Sequence, residues 1–104
     1  MNLNELTESH ILSMLHDQQS LFIEFILLSE NGQKVKLFAH NKSTTPISVE
    51  FVGLTFKAGF STFEGLPSLG EIEAVKVTNY GFSLEGDMGY IKVSADTWYI
   101  ENAL

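Results

Sequence analysis

The chain of 104 residues contains no cysteine. Disulfides, thiolate nucleophiles and cysteine-ligated metals are therefore excluded together, and the fold must rest on packing. Arginine is absent as well: the six basic residues are all lysines, set against thirteen carboxylates for a net charge of −7. Recognition of phosphates and base edges leans on the guanidinium fork, and a negative field repels a polyanion, so the composition argues against nucleic-acid binding. The same charge would attract a basic protein. No long apolar run is present either. The longest, residues 21–28, is interrupted by Glu24 and falls far short of the roughly 20 residues of a membrane span. Residues 1–10 lack the basic region and apolar stretch of a signal peptide, so the expectation is a cytoplasmic protein without membrane contact.

The strong catalytic and cofactor motifs are missing too. There is no phosphate-binding Gly-Lys-Ser/Thr, no His-Glu-x-x-His and no dinucleotide glycine pattern. The stretch Gly81-Phe82-Ser83-Leu84-Glu85 lacks the second glycine of a nucleophile elbow and sits among strands. His10, His16 and His40 have no i, i+4 pair for placing two ligands on one helix face, so neither a metal, a cofactor nor a catalytic set is expected.

What the chain does contain is alternation. Residues 71–100 read as a three-stranded antiparallel meander. Reversal over Asp87 and Met88 sets Leu84 beside Ile91 and Phe82 beside Val93, and reversal over Asn79 and Tyr80 sets Val77 beside Phe82 and Val75 beside Leu84. Both registers agree on the face of Phe82 and Leu84, and a slip of one residue would turn every apolar side chain to water. The other face, with Lys76, Thr78, Ser83, Glu85, Lys92 and Ser94, is expected to be wet. Upstream, Asn31-Gly32 between two apolar runs signals a hairpin; read as a two-residue turn, it pairs Ile26 with Leu37 and puts Glu24 in the row of Ile26, Leu28, Leu37 and Val35.

At the N-terminal end Asn2 and Glu5 resemble a capping box ahead of a helical spacing of Leu3, Leu6, His10 or Ile11, Met14 and Leu15, which predicts a helix over about 3–18. Residues 41–46 and 64–70 read as loops. Between them the alternation changes phase at Phe51 and Val52, beside Gly53, as a β-bulge would make it do. Near the C-terminal end Trp98 and Ile100 have two readings. A bulge at Ala95 and Asp96 turns them inward; unbroken alternation leaves them on the polar face as an aromatic edge for pairing with another chain.

Leu15-His16-Asp17 ahead of a strand, together with Gly86-Asp87 and the alternating run from Tyr90 to Ala95, resembles small uncharacterised bacterial proteins with a Leu-His-Asp helix end and a C-terminal β-meander. The resemblance implies a compact α+β fold and carries no activity.

The expected architecture is therefore one α+β domain over residues 1–104. An N-terminal helix packs on a strongly twisted antiparallel sheet of about six strands, open or curled into a half-barrel, formed by residues 20–101. The leading functional expectation is a small acidic non-enzymatic interaction protein. It would form a homodimer through excess apolar surface at Ile23, Phe25, Phe38, Trp98 and Ile100, or neutralise a basic protein in the manner of a toxin-immunity factor. The alternative is a cup for a small apolar ligand, lined by Phe25, Phe38, Phe56 and Phe60, with Glu24 and His40 as polar handles. A carboxylate in such a cup would have a raised pKa.

Overall fold

A computed structural model describes residues 2–53, 62–63 and 66–103. A short 3-10 helix, Leu3–Leu6, is followed by ten strands: β1 (His10–His16), β2 (Phe22–Leu28), β3 (Lys34–His40), β4 (Ser48–Val52), β5 (Thr62–Phe63), β6 (Leu66–Pro67), β7 (Gly70–Thr78), β8 (Gly81–Gly86), β9 (Gly89–Ser94) and β10 (Thr97–Asn102). Eight form one antiparallel sheet in the order β10-β3-β2-β1-β7-β8-β9-β4, while β5 and β6 pair with each other, β6 falling within the expected loop at 64–70. The α+β expectation is overturned: among the described residues no helix reaches seven residues, and the sheet has eight strands.

The N-terminal correction has a physical cause. Leu3 and Leu6, three apart, are the buried side of a single 3-10 turn, and Asn2 makes no side-chain cap. The chain then enters β1, whose pairing with β2 slips between Ile11 and Ser13. The extra residue leaves Ile11 opposite Leu27 and Met14 opposite Phe25, both turned to the core. A 3-10 turn followed by a bulged strand thus imitates the three-residue spacing of a helix. Leu15-His16-Asp17 accordingly ends a strand, and the Asp17 carboxylate accepts the N–H groups of Gln19 and Leu21 at 3.1 Å each, shaping the turn into β2. The α+β fold implied by the resemblance does not occur.

The β2–β3 hairpin is also displaced by one residue from its expected register. Gly32, at φ +85°, donates its N–H to the Ser29 carbonyl at 2.9 Å, and Ser29 N–H reaches the Gln33 carbonyl at 2.8 Å. This is a three-residue loop ending in a left-handed glycine, not a two-residue turn. Phe25 consequently pairs with Leu37, Ile23 with Ala39 and Glu24 with Phe38. Ile23, Phe25, Leu27, Val35, Leu37 and Ala39 face the core, and Glu24 moves to the other side.

The meander keeps its expected registers. Val75 pairs with Leu84, Val77 with Phe82, Phe82 with Val93 and Leu84 with Ile91, with reversals over 79–80 and 87–88. Its second face is largely solvated, although Ser83 in that row is buried. β4 adds Val49 beside Val93 and Phe51 beside Ile91, then ends at Val52 before Gly53 at φ +61°. Residues 54–61, over which the alternation would run on after its change of phase, lie outside the described residues.

β7 joins the two halves. Gly70 and Glu71 pair with Ile11 and His10 of β1, whereas residues 72–78 pair with β8, across an irregularity between Ile72 and Ala74. Near its far end Val77 lines a groove with residues of β10, at the opposite side of the first half. β7 therefore runs across the β10-β3-β2-β1 layer, as strands do where a sheet folds over on itself. The core lies between the layers and includes Phe25, Leu37, Phe82, Leu84, Ile91 and, from the β8–β9 turn, Met88, which seats against Gly70.

The last joint settles the two readings of Trp98 and Ile100. β9 ends at Ser94, Asp96 accepts the Lys42 N–H at 2.7 Å while donating its own to the Asn41 side chain at 2.9 Å, and the chain leaves β9 to pair with β3. The break at Ala95 and Asp96 resets the alternation. Trp98 and Ile100 pack against the core, with Trp98 edge-on to Phe82 at 5.4 Å, and Tyr99 turns outward. No helix among the described residues is long and apolar enough to cross a membrane.

Candidate functional site

With Phe25 and Leu37 turned inward, the intervening residues of β2, β3 and β10 make the outer face of the first layer. One row crosses four strands: Leu15, Glu24, Phe38 and Tyr99 are successive cross-strand partners. Phe22, Phe38 and Tyr99 stand on this face. Phe22 and Phe38 stack at 5.1 Å and 20°, and Phe38 and Tyr99 at 5.3 Å and 26°. These spacings are close to the roughly 4.7–4.9 Å between neighbouring strands, so the rings form a ladder across the sheet. Stacked rings hide their faces from one another. Tyr99, on the last strand, remains 41% exposed.

Lys36 ties the ladder to its charges. Its Nζ lies 2.8 Å from Glu101 and 3.8 Å from Glu24, and 5.9 and 6.0 Å from the ring centres of Phe38 and Tyr99. The hydrogen bond to Glu101, with the charges of Glu101, Tyr99 and Glu24 in that order, holds the ammonium above its ordinary value of 10.5 against the opposing effect of desolvation. A lysine pKa raised by folding contributes stability that is complete below the ordinary value and is lost as the pH rises through the raised one. Stability measured by urea unfolding should therefore carry no Lys36-dependent change through neutral pH. An alkaline loss should appear that Lys36→Met reduces.

Among the described residues the edge beside Tyr99 is open. Ala103 N–H donates to the Lys34 carbonyl at 3.0 Å, in line with the pairing of Glu101 with Lys36 and Tyr99 with Phe38. In an antiparallel ladder the residues bonded to one neighbour alternate with those facing the other side. The odd residues of β10 thus bond to β3, and Trp98, Ile100 and Asn102 aim their N–H and C=O groups away from it. Among the described residues no strand pairs there. Instead a groove of about 350 Å³ follows this edge, between β10 residues 98–100, Val77 and residues 2–4.

The residues expected at a site are divided by this arrangement. Ile23 and Phe25 are wholly buried and cannot meet a partner. Phe38 is on the outer face, and Trp98 and Ile100 form the groove wall. Of the cup residues, Phe25 lies on the inner face, while Glu24, Phe38 and His40 lie on the outer one, so the sheet itself separates them. His40 places Nδ1 3.0 Å from the Asn41 carbonyl and tilts against Phe38. Phe56 and Phe60 lie outside the described residues. Tyr99 and Lys36 were not among the expected site residues. The signal for Tyr99 was its parity: once the alternation resets at Asp96, inward Trp98 and Ile100 require an outward Tyr99.

One cluster has the residue types of a catalytic set. His10 Nδ1 is 2.8 Å from Ser68 Oγ, and Nε2 is 4.0 Å from Glu71. Ser68 is only 2% exposed, so its hydroxyl does not face a substrate and the contact instead braces the corner where β1 meets β7. No cluster of three or more metal-ligating side chains occurs among the described residues. Comparison with known proteins returns no match to a family model, a curated protein or a solved structure.

Proposed function

We propose that this chain is a non-enzymatic interaction protein that works as a homodimer, assembled where the outer aromatic row of β2, β3 and β10 reaches the sheet edge at β10. The observation that carries the reading is the ladder of Phe22, Phe38 and Tyr99 ending at an open sheet edge. Aromatic side chains are enriched at the centres of protein interfaces and supply large buried area. Leu15, 54% exposed in the same row, extends the apolar surface, and Lys36 neutralises much of the local acidity. Two chains of net charge −7 nevertheless repel at a distance.

Native mass spectrometry and light scattering tests the proposal. A dimer is expected at low micromolar concentration, and its association should strengthen when salt is raised from about 0.01 to 0.15 M, which shortens the Debye length from about 30 to 8 Å. A monomer at tens of micromolar would overturn the proposal.

A further inference from the structure

We infer that the two copies join by antiparallel pairing of β10 with β10, with the two-fold axis passing between Tyr99 and Tyr99 of the second copy. This rests on the homodimer reading and specifies its geometry. Because Trp98, Ile100 and Asn102 carry the outward backbone groups, only registers that pair even-numbered residues satisfy them. Two such registers keep most of the strand in contact.

In the first, Trp98 pairs with Ile100 of the second copy and each symmetric pair exchanges both of its hydrogen bonds. On the inner side this sets apolar against apolar and covers Val77, which is otherwise 55% exposed. On the outer side Tyr99 meets its own copy at a close, non-hydrogen-bonded position, about 4.5 Å between Cα atoms. The ring ladder, already spaced at 5.1 and 5.3 Å, continues without interruption into the second copy. Glu101 faces Thr97, so no like charges are opposed. The second register, centred on Ile100, sets Trp98 against Asn102, whose side chain is already bonded to Gln33, and Tyr99 against Glu101. It interrupts the ladder with a carboxylate. The first register removes the open edge and makes the outer layer continuous across the dimer.

A chain without cysteine permits a direct test. Tyr99→Cys is expected to form a disulfide-linked dimer under mild oxidation, because its Cα separation from its own copy falls within the roughly 4.4–6.8 Å range of disulfides. Glu101→Cys should remain uncrosslinked alone and crosslink when mixed with Thr97→Cys. In the unsubstituted protein, amide exchange at Trp98 and Ile100 should be slower by about tenfold or more in the dimer than after dilution to monomer, while Tyr99 and Glu101, already bonded to β3, change little. A dimer whose Trp98 and Ile100 amides exchange freely would overturn strand pairing and leave the homodimer reading standing. Crosslinking of Glu101→Cys alone, with none at Tyr99→Cys, would overturn the Tyr99-centred register. A protein that never dimerises would remove both.

Discussion

Phe25→Ala is expected to lose about 3–5 kcal/mol of folding stability, whereas Phe38→Ala, on a neighbouring strand, should cost about 1 kcal/mol in the monomer and act mainly on assembly. Phe25 has no exposed surface. It lies opposite Leu37 and Met14 in the core between the layers, where the vacated space cannot be refilled by solvent. For a domain whose whole stability is of order 5–15 kcal/mol, such a loss leaves the folded state marginal at room temperature. Phe38 stands on the opposite face between Phe22 and Tyr99. Removing it takes away the ring on which Tyr99 stacks at the β10 edge, which should weaken the dimer by about tenfold or more without changing the sheet. Urea unfolding at fixed protein concentration, paired with sedimentation of each variant, separates the two effects. Equal losses of monomer stability would mean that the outer face is packed within a single chain, and the interaction reading would fall.

Gly86→Ala should be nearly as damaging, although it adds one methyl group. A Cβ at this position would lie 1.9 Å from the Glu71 carbonyl oxygen and 3.0 Å from Met88 Sδ. The obstacle is backbone. Relief requires separating Gly86 from Ile72 and breaking the bond that the Glu71 N–H gives to Asp87 at 2.9 Å, both at the corner that holds the layers together. Overpacking costs about 1–3 kcal/mol where side chains can yield, so a cost above about 3 kcal/mol is expected here. Gly32→Ala is the control. That Cβ would enter open space, and only the positive φ of +85° opposes it, a cost of about 1–2 kcal/mol. Thermal unfolding of the two variants should separate clearly; similar midpoints would show that the β8–β9 turn is not docked on β7.

What could be read from the chain follows the range over which each interaction acts. The β7, β8 and β9 registers were legible because two short reversals connect consecutive strands and two independent alternations meet on Phe82 and Leu84. The next hairpin shows the limit of the same reasoning. Asn31-Gly32 marked the turn, but whether two or three residues formed it depended on Ser29 closing against Gln33, and that single residue decided whether Glu24 stood in the core row or beside Lys36. At the N-terminal end the pattern itself misled, since a 3-10 turn and a bulged strand repeat apolar residues at helical intervals.

By itself, the sequence determined the absence of covalent staples, the acidic surface, the alternating strands and the local meander, all properties of composition or of residues near one another along the chain. Only the tertiary structure decided that β10 leaves β9 for β3, that Phe25 and Phe38 belong to opposite faces, and that Tyr99 completes a ladder at an open edge. Those outcomes depend on which distant strands bury one another. A strand with apolar residues on both sides can satisfy its local preferences in either orientation until a partner from elsewhere in the chain chooses the face.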